Sequence, residues 1–503
     1  MKQYKLISLT IVWGLGSLLM GCSDWLDYTP KDKQTYEQQF GTKAGFHNAI
    51  NGIYTNLSSN SLYGYNMSYG PLDFMGLLYN IPSSNVSRSE YKSATWTGSY
   101  ASSTFSSIWS TAYATILNVN LVLQAADEYK ESVLTEREYD LIKGEMLGVR
   151  AFLHFDMLRL FGPIYVSNPS KLSIPYNTGV EASRHERMPA DELIEKNLLP
   201  DLEAAENLLK EVDPVITDGV LNSDGGLEGN WERYRQLRMN YYAVILVKAR
   251  LYLWMGEYEK ALAEAKKITD SDLVKEHFPF VEPSKLLANS INPDRVFSTE
   301  CLFGFYDSGM KDIFTNYFSG SLDASMLLQP RKGYIDILFP SVGDYRRQSQ
   351  WTGSSASSGS EYDFIKYKSF TTDNSNPEFW ATFYGLMRVS EAYYIASESL
   401  LMQNNLEGAC DYLNVILKAR GLTELEVGSV NKNLLLKEIK YEYLREMRGE
   451  GQIYFMLKRF NQAFGMYTSG GDTSLNGAEE PYFDSSPSPA TRYSVPLPSD
   501  EIN

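Results

Sequence analysis

The chain has 503 residues and a formal net charge of −16, with 62 Asp and Glu against 46 Lys and Arg. An acidic chain without basic clusters is a poor match for nucleic acid or anionic lipid, whose phosphates are held by Lys and Arg that neutralise them. Its apolar content of 43% is that of ordinary globular proteins, enough to bury a large core.

Residues 1–21 read as a processing signal. Lys2 and Lys5 precede an apolar stretch from Leu6 to Met20, shorter than the roughly 20 apolar residues that a membrane span requires. It ends in Leu19-Met20-Gly21-Cys22, which resembles a bacterial lipobox whose cysteine is acylated and begins the mature protein. Met20 departs from that pattern, where a smaller or branched residue is usual, and an ordinary secretory signal with a coincidental Cys22 is the alternative. Acylation would tie the chain durably to a membrane, each buried methylene contributing about 0.8 kcal/mol. Residues 22–40 then read as a polar tether and 41–503 as one folded domain, with no second long apolar run. Beyond Cys22 only Cys301 and Cys410 remain; two buried thiols are expected, with a disulfide between them as the alternative.

From Leu57 to Tyr100 the chain is rich in Gly, Ser, Asn and Tyr without a sustained apolar period, and reads as loop. Between Ser107 and Ala125, Ile108, Tyr113, Ile116, Val119 and Leu123 recur at helical steps. Glu136 to Leu160 carries one broad apolar stripe that stops at Phe161-Gly162-Pro163, where Gly can take a left-handed cap and Pro cannot continue a helix. Helix–turn–helix construction recurs at Arg238–Met255 with Glu259–Ile268, and at Leu386–Met402 with Leu406–Arg420. Ala243, Ala249, Ala261, Ala265, Ala392, Ala396 and Ala409 fall where paired helices would cross. Such pairs resemble tetratricopeptide units, though their spacing is irregular. Ser298–Phe305 and Tyr362–Tyr367 read as short strands. The fold class is mostly α with minor β.

Five ordered segments resemble those of the SusD/RagB family. Arg150-Ala151-Phe152, Phe155, Leu158, Leu160 and Phe161-Gly162-Pro163, preceded by Gly144-Glu145, form the first. Ala249-Arg250-Leu251-Tyr252-Leu253 with Gly256-Glu257-Tyr258-Glu259-Lys260-Ala261 is similar to the family's central helix pair. Arg388, Glu391, Ala392, Glu398, Leu413-Asn414 and Ala419-Arg420-Gly421-Leu422 match a third. Glu442, Arg445-Glu446, Glu450-Gly451, Phe455, Leu457 and Lys458-Arg459 match a fourth, and Val495-Pro496-Leu497-Pro498 with Glu501 the last. Ile453 and Met456 replace an Arg and an Asp of the fourth segment, so the ion pair expected there is lost. The resemblance implies tetratricopeptide-like helix pairs forming a superhelical scaffold under a loop-rich cap. It also implies an outer-membrane lipoprotein that faces the cell exterior, binds oligosaccharide and delivers it to a SusC-like TonB-dependent β-barrel transporter.

The residues themselves give little support for catalysis, and neither a cofactor nor a metal is assigned. His47, His154, His185 and His277 lack metal-ligand spacing. His154, between Phe152 and Phe155, reads as structural. No phosphate loop or nucleophile elbow is present, and a glycosidase carboxylate pair is defined by spatial separation that sequence does not supply. The run Glu442 to Glu450, with Arg445 and Arg448, reads as a solvated helix face of mixed charge. The positive signal is aromatic. Sugars present apolar C–H faces and polar edges, so their capture needs flat rings and short polar groups. Tyr63, Tyr65, Tyr69, Phe74, Tyr79, Tyr91 and Trp96 are interleaved with Asn66, Asp73, Asn80, Asn85 and Arg88, and a second cluster follows at Tyr306, Asp307, Phe314, Asn316, Tyr317 and Phe318. From these, Tyr63, Tyr65, Tyr69, Asp73, Tyr79, Arg88, Trp96, Tyr306 and Tyr317 are the candidate glycan contacts, with Trp351 and Trp380 as outlying ones. Packing is the competing role, for Trp96 and Trp109 above all. A non-sugar nutrient such as peptide on the same scaffold is the rival ligand.

Overall fold

The computed structural model describes residues 35–462 and 490–499, apart from 77, 82–83, 182–184, 224–229, 288–292, 324, 331–332, 354–361 and 369–378. The signal, Cys22 and most of the expected tether lie outside the described residues. The tether's end is already structured. Tyr36–Phe40 is a helical turn closed by a Thr35–Gln38 capping box, and Phe40 is buried.

Helix α1 (Lys43–Leu57) starts at Thr42, whose hydroxyl accepts from the Gly45 N–H. Helix α2 runs from Ser99 to Glu128, eight residues ahead of the expected start. Its first turns are small and polar, so no apolar period announces them. Glu90 supplies the missing cap, its Oε2 accepting from the Tyr100 and Ala101 N–H groups at 3.0 and 2.8 Å. A carboxylate there satisfies orphan amides and complements the positive end of the helix. Helix α3 (Glu136–Phe161) begins with a Thr135–Glu138 capping box and is buried almost all round. Gly162 ends it in an extended conformation instead of a left-handed one, with φ −77° and ψ 178°. Glycine is required there by proximity, since a Cβ would lie 2.4 Å from the Leu158 carbonyl oxygen.

Helix α4 (Leu199–Val212) turns Leu202, Ala205 and Leu209 inward. Helix α5 (Tyr241–Met255) is buried without a break from Tyr242 to Trp254, its Lys248 and Arg250 paired with Glu206 and Glu391. Gly256, at φ 80°, provides the left-handed cap before α6 (Tyr258–Thr269). Helices α7 (Val389–Met402) and α8 (Leu406–Ala419) form the later pair, followed by α9 (Lys432–Glu446) and α10 (Ile453–Arg459). The seven alanines singled out at the crossings are all fully buried. Each helix from α2 to α7 packs on its successor, and α7 meets both α8 and α9. The helix pairs therefore stack in chain order, as in a solenoid.

Among the described residues strand content is minor: three two-stranded antiparallel pieces. β1 (Leu172–Pro175) pairs with β2 (Arg187–Pro189), β3 (Cys301–Tyr306) with β6 (Phe383–Arg388), and β4 (Trp351–Gly353) with β5 (Tyr362–Phe364). The β3–β6 pairing fixes the end of β3 against the chain that enters α7. Among the described residues no helix is long and apolar enough to cross a membrane. Cys301 and Cys410 are free, buried thiols. His154 is fully buried, its Nδ1 against the Arg150 carbonyl and its Nε2 accepting from the Asn177 N–H at 3.0 Å; burial lowers it to about 3.

The charged run Glu442–Glu450 is interior, contrary to the solvated face expected from its local pattern. Glu442, Glu446 and Glu450 are at most 2% exposed. They meet arginines brought in by other segments. Arg346 reaches Asp344 Oδ2 at 2.7 Å, Glu442 Oε2 at 2.8 Å and Glu446 Oε2 at 3.0 Å. Arg420 reaches both Glu300 and Glu446 at 2.6 Å. Arg388 pairs with Glu446 and with Glu450, the latter at 3.0 Å. Buried ions persist only when paired and hydrogen-bonded. Here each carboxylate is met by at least one cation, and Arg346 with Arg445 holds Glu442 at about 2, against its burial.

Candidate ligand-binding surface

The two aromatic segments, far apart in sequence, are packed into one body. Residues 58–70 form nested turns, with Tyr63 N–H donating to Leu57 O, Gly64 to Ser59 O and Met67 to Leu62 O at 2.8–3.1 Å. Short helices Pro71–Met75 and Val86–Lys92 follow. Against them lie residues 306–329. Tyr65 stacks on Tyr317 at 5.0 Å and 21°, Tyr69 touches Tyr317 and Phe318, and Tyr79 touches Phe318. Polar ties fix the junction: Arg88 Nη1 donates to Met326 O at 2.8 Å, Asn85 Nδ2 to Ser325 O at 2.6 Å, and the Asn80 N–H to Gln329 O at 2.8 Å.

This packing removes six of the nine candidate contacts from the surface. Tyr63, Tyr69, Asp73, Tyr79, Arg88 and Trp96 are all buried. Tyr63 stacks on Phe152 and donates its hydroxyl to Asp156 Oδ2 at 2.8 Å. Tyr69 sits among Tyr317, Phe318, Tyr367 and Tyr384. Trp96 meets Phe105 edge-on. Arg88 directs its guanidinium at backbone carbonyls of the second segment. The aromatic spacing lacks a helical or strand period because the chain coils in turns. The rings fill the inside of those turns and do not project from them. Phe74, Tyr91 and Trp351 are likewise buried.

Asp73 joins this body to the helical scaffold. Its Oδ2 accepts from the Tyr79 hydroxyl at 3.0 Å and from the Gly449 N–H at 3.0 Å, while Oδ1 has no hydrogen-bond partner. Burial raises this carboxyl to about 7 against the pull of Arg448. The Gly449 carbonyl oxygen in turn accepts from the hydroxyls of Tyr367, at 3.0 Å, and Tyr384. Gly449 has φ 82°, and a Cβ there would fall 2.5 Å from the Tyr367 hydroxyl oxygen.

Three candidates keep open ring area. Tyr65 and Tyr317 are half-buried, and Tyr306, at the end of β3, is 59% exposed. Phe314 is half-buried and Asn316 and Asn80 are exposed nearby in sequence; Trp380 is half-buried. Beside Tyr306 opens a cleft of about 350 Å³, lined by Asn51 and Thr55 of α1, by Ser58 just past its end, and by Arg233, Tyr234 and Arg238. Except for Tyr306, this lining was not anticipated from sequence, because single polar residues on a helix face and two arginines between helices form no motif. A larger hollow, about 640 Å³, lies at the outer face of α8 between Phe280, Tyr345, Asn414 and Lys418. It is lined by none of the candidate aromatics. Among the described residues, no group of three or more His, Cys, Asp or Glu is placed to hold a metal ion.

Two family models match the chain. One, described as starch-binding and associating with the outer membrane, matches residues 24–216; the other, described as the SusD family, matches residues 340–503. A SusD-like protein P2 of Formosa agariphila is 23% identical, the alignment taking in 100% of this chain and 97% of the relative. Among solved structures, a SusD superfamily protein of Bacteroides thetaiotaomicron has a TM-score of 0.66 at 20% identity, covering 92% of this chain and 97% of its own. A SusD-like carbohydrate binding protein of Bacteroides vulgatus gives 0.63 at 18%, covering 92% and 96%. Surface glycan-binding protein A of Bacteroides thetaiotaomicron gives 0.60 at 17%, covering 84% and 90%. At these identities the solved structures establish the mostly α fold.

Proposed function

We propose, since this chain belongs to the SusD/RagB family, that it captures oligosaccharide at the cell surface and works by binding without bond cleavage. Lipid on Cys22 holds it to the outer membrane, facing outward, and a SusC-like TonB-dependent barrel receives the glycan. The observation that carries the reading is the Tyr65–Tyr317 stack. Two rings from distant segments are fixed beforehand by Arg88, Asn85 and Asn80, and each remains partly exposed. A preset aromatic platform can take the apolar face of a sugar without ordering a loop on binding. Weak, wet contacts of this kind suit a protein that must release what it holds.

The test is affinity electrophoresis of the mature protein through gels containing defined polysaccharides. Retardation by at least one glycan is expected, reduced about tenfold in Tyr65→Ala and Tyr317→Ala, as stacking worth about 1.5 kcal/mol implies. The glycan should be recovered at unchanged length. Retention of peptides in place of any glycan would turn the reading toward a peptide carrier, and shortened glycan would turn it toward an enzyme.

A further inference from the structure

We propose that the cleft beside Tyr306 takes an anionic sugar unit, one bearing a carboxylate or a sulfate ester; this rests on the glycan-capture reading and narrows its substrate class. The chain as a whole is strongly acidic, at −16. Yet the described residues lining this cleft include two arginines and no Asp or Glu. In a protein with so many carboxylates, an acid-free hollow flanked by guanidinium groups is a local inversion of charge, and such a hollow concentrates anions.

The arginines differ in how they are held. Arg233 is half-buried and steadied by Ser223, its Nη1 donating to the Ser223 hydroxyl at 2.6 Å and carbonyl at 3.2 Å. It forms no ion pair among the described residues. Arg238 is clamped between aromatic faces, its guanidinium carbon 4.5 Å from the Trp231 ring centre and 5.0 Å from that of Tyr54. Its Nη2 donates to Asn51 Oδ1 at 2.7 Å, but its Nη1 is buried without a hydrogen-bond partner. The nearest carboxylate oxygen, Glu145 Oε1, stands 3.8 Å away and already accepts from the Tyr54 hydroxyl at 2.7 Å. The other Glu145 oxygen is taken by Arg235, which also binds both oxygens of Asp213. Among the described residues Glu145 and Asp213 therefore balance Arg235 and Arg238, and none opposes Arg233. Arg238 Nη1 is closed off beside Glu145, so Arg233 is the guanidinium that meets an incoming carboxylate or sulfate.

The rest of the lining suits a sugar. Tyr306 offers an open ring face. The hydroxyls of Thr55 and Ser58 donate to α1 carbonyls, so their lone pairs remain to accept from sugar hydroxyls. A volume of about 350 Å³ falls at the lower end of small-molecule sites, fitting a short stretch of glycan more than a long one.

The experiment is affinity electrophoresis of the mature protein in gels containing polygalacturonate for carboxylate, carrageenan for sulfate, and starch or arabinogalactan as neutral polymers. Retardation by one of the two anionic polymers is expected, weakening as salt is raised. Arg233→Gln and Tyr306→Ala, both at the surface, should each reduce it by about tenfold, with melting temperatures unchanged. Retardation by neutral polymers alone overturns the inference and leaves glycan capture standing. Anionic retardation that is indifferent to both substitutions also overturns it. If no polymer retards the protein, glycan capture itself has failed and the inference falls with it.

Discussion

Tyr63 and Tyr317 hold the same phenol in different settings, one buried and one half-buried. Tyr63 is an internal strut, stacked on Phe152 with its hydroxyl on Asp156. Tyr63→Phe leaves a buried carboxylate oxygen short of a donor. It should cost about 1–3 kcal/mol in urea denaturation while glycan retention stays at the wild-type level. Tyr317→Ala should do the reverse, holding stability and losing retention. Asp73 gives a pH signature. Its carboxyl titrates near 7 when folded, raised by burial from an ordinary value of 3.8. Between those values the folded chain keeps a proton that the unfolded chain has released, so this residue's contribution to stability falls as pH rises from about 4 to 7. Asp73→Asn keeps an oxygen to accept from Tyr79 and Gly449 and does not ionise. The denaturation midpoint of this variant relative to wild type should climb across that window and level off above it; a flat difference would show that Asp73 titrates normally.

Helices differ in how openly their sequences declare them. The extents of α3, α5, α6 and α8 were legible to within a few residues, because apolar period, turn glycines and caps all lie inside the same stretch. The start of α2 was not legible, since its cap comes from Glu90 on a separate helix. The inward face of α9 was misread for a related reason: Glu442 and Glu446 look solvated until Arg346, Arg388 and Arg420 arrive from elsewhere in the chain. Several residues that carry the family resemblance, among them Arg388, Arg420, Glu442, Glu446 and Glu450, turn out to be this internal network. Motif recognition therefore located the scaffold and said little about the ligand. Glu446→Ala strips partners from three buried guanidinium groups and should cost about 3–5 kcal/mol. Glu438→Ala, removing a partly exposed partner of Arg445, should cost under about 1 kcal/mol. Equal losses in chemical denaturation would mean that the interior network is as screened as the surface pair.

At the scale of the whole molecule, Cys22 and the aromatic body lie in separate parts of the chain. Cys22→Ala should move the protein from the outer-membrane fraction to the soluble periplasm without changing glycan retention; persistence in the membrane fraction would argue against lipidation. The aromatic body was only half legible from sequence: its composition was plain, but which rings face outward was decided by turns that bring residues 58–92 against 306–329. One of its ties to the scaffold falls on Gly449, a residue with no side chain, whose amide donates to Asp73; Tyr63 on Phe152 and Asp156, and Glu90 at the start of α2, supply others. The backbone part of this joint is indifferent to the side chains displayed above it. Segments of other sequence could be transplanted onto this frame as a unit, provided that they bring partners to replace Asp73, Tyr63 and Glu90 and leave Tyr367 and Tyr384 in place. A new appetite could then be acquired by exchanging loops, with no helix redesigned.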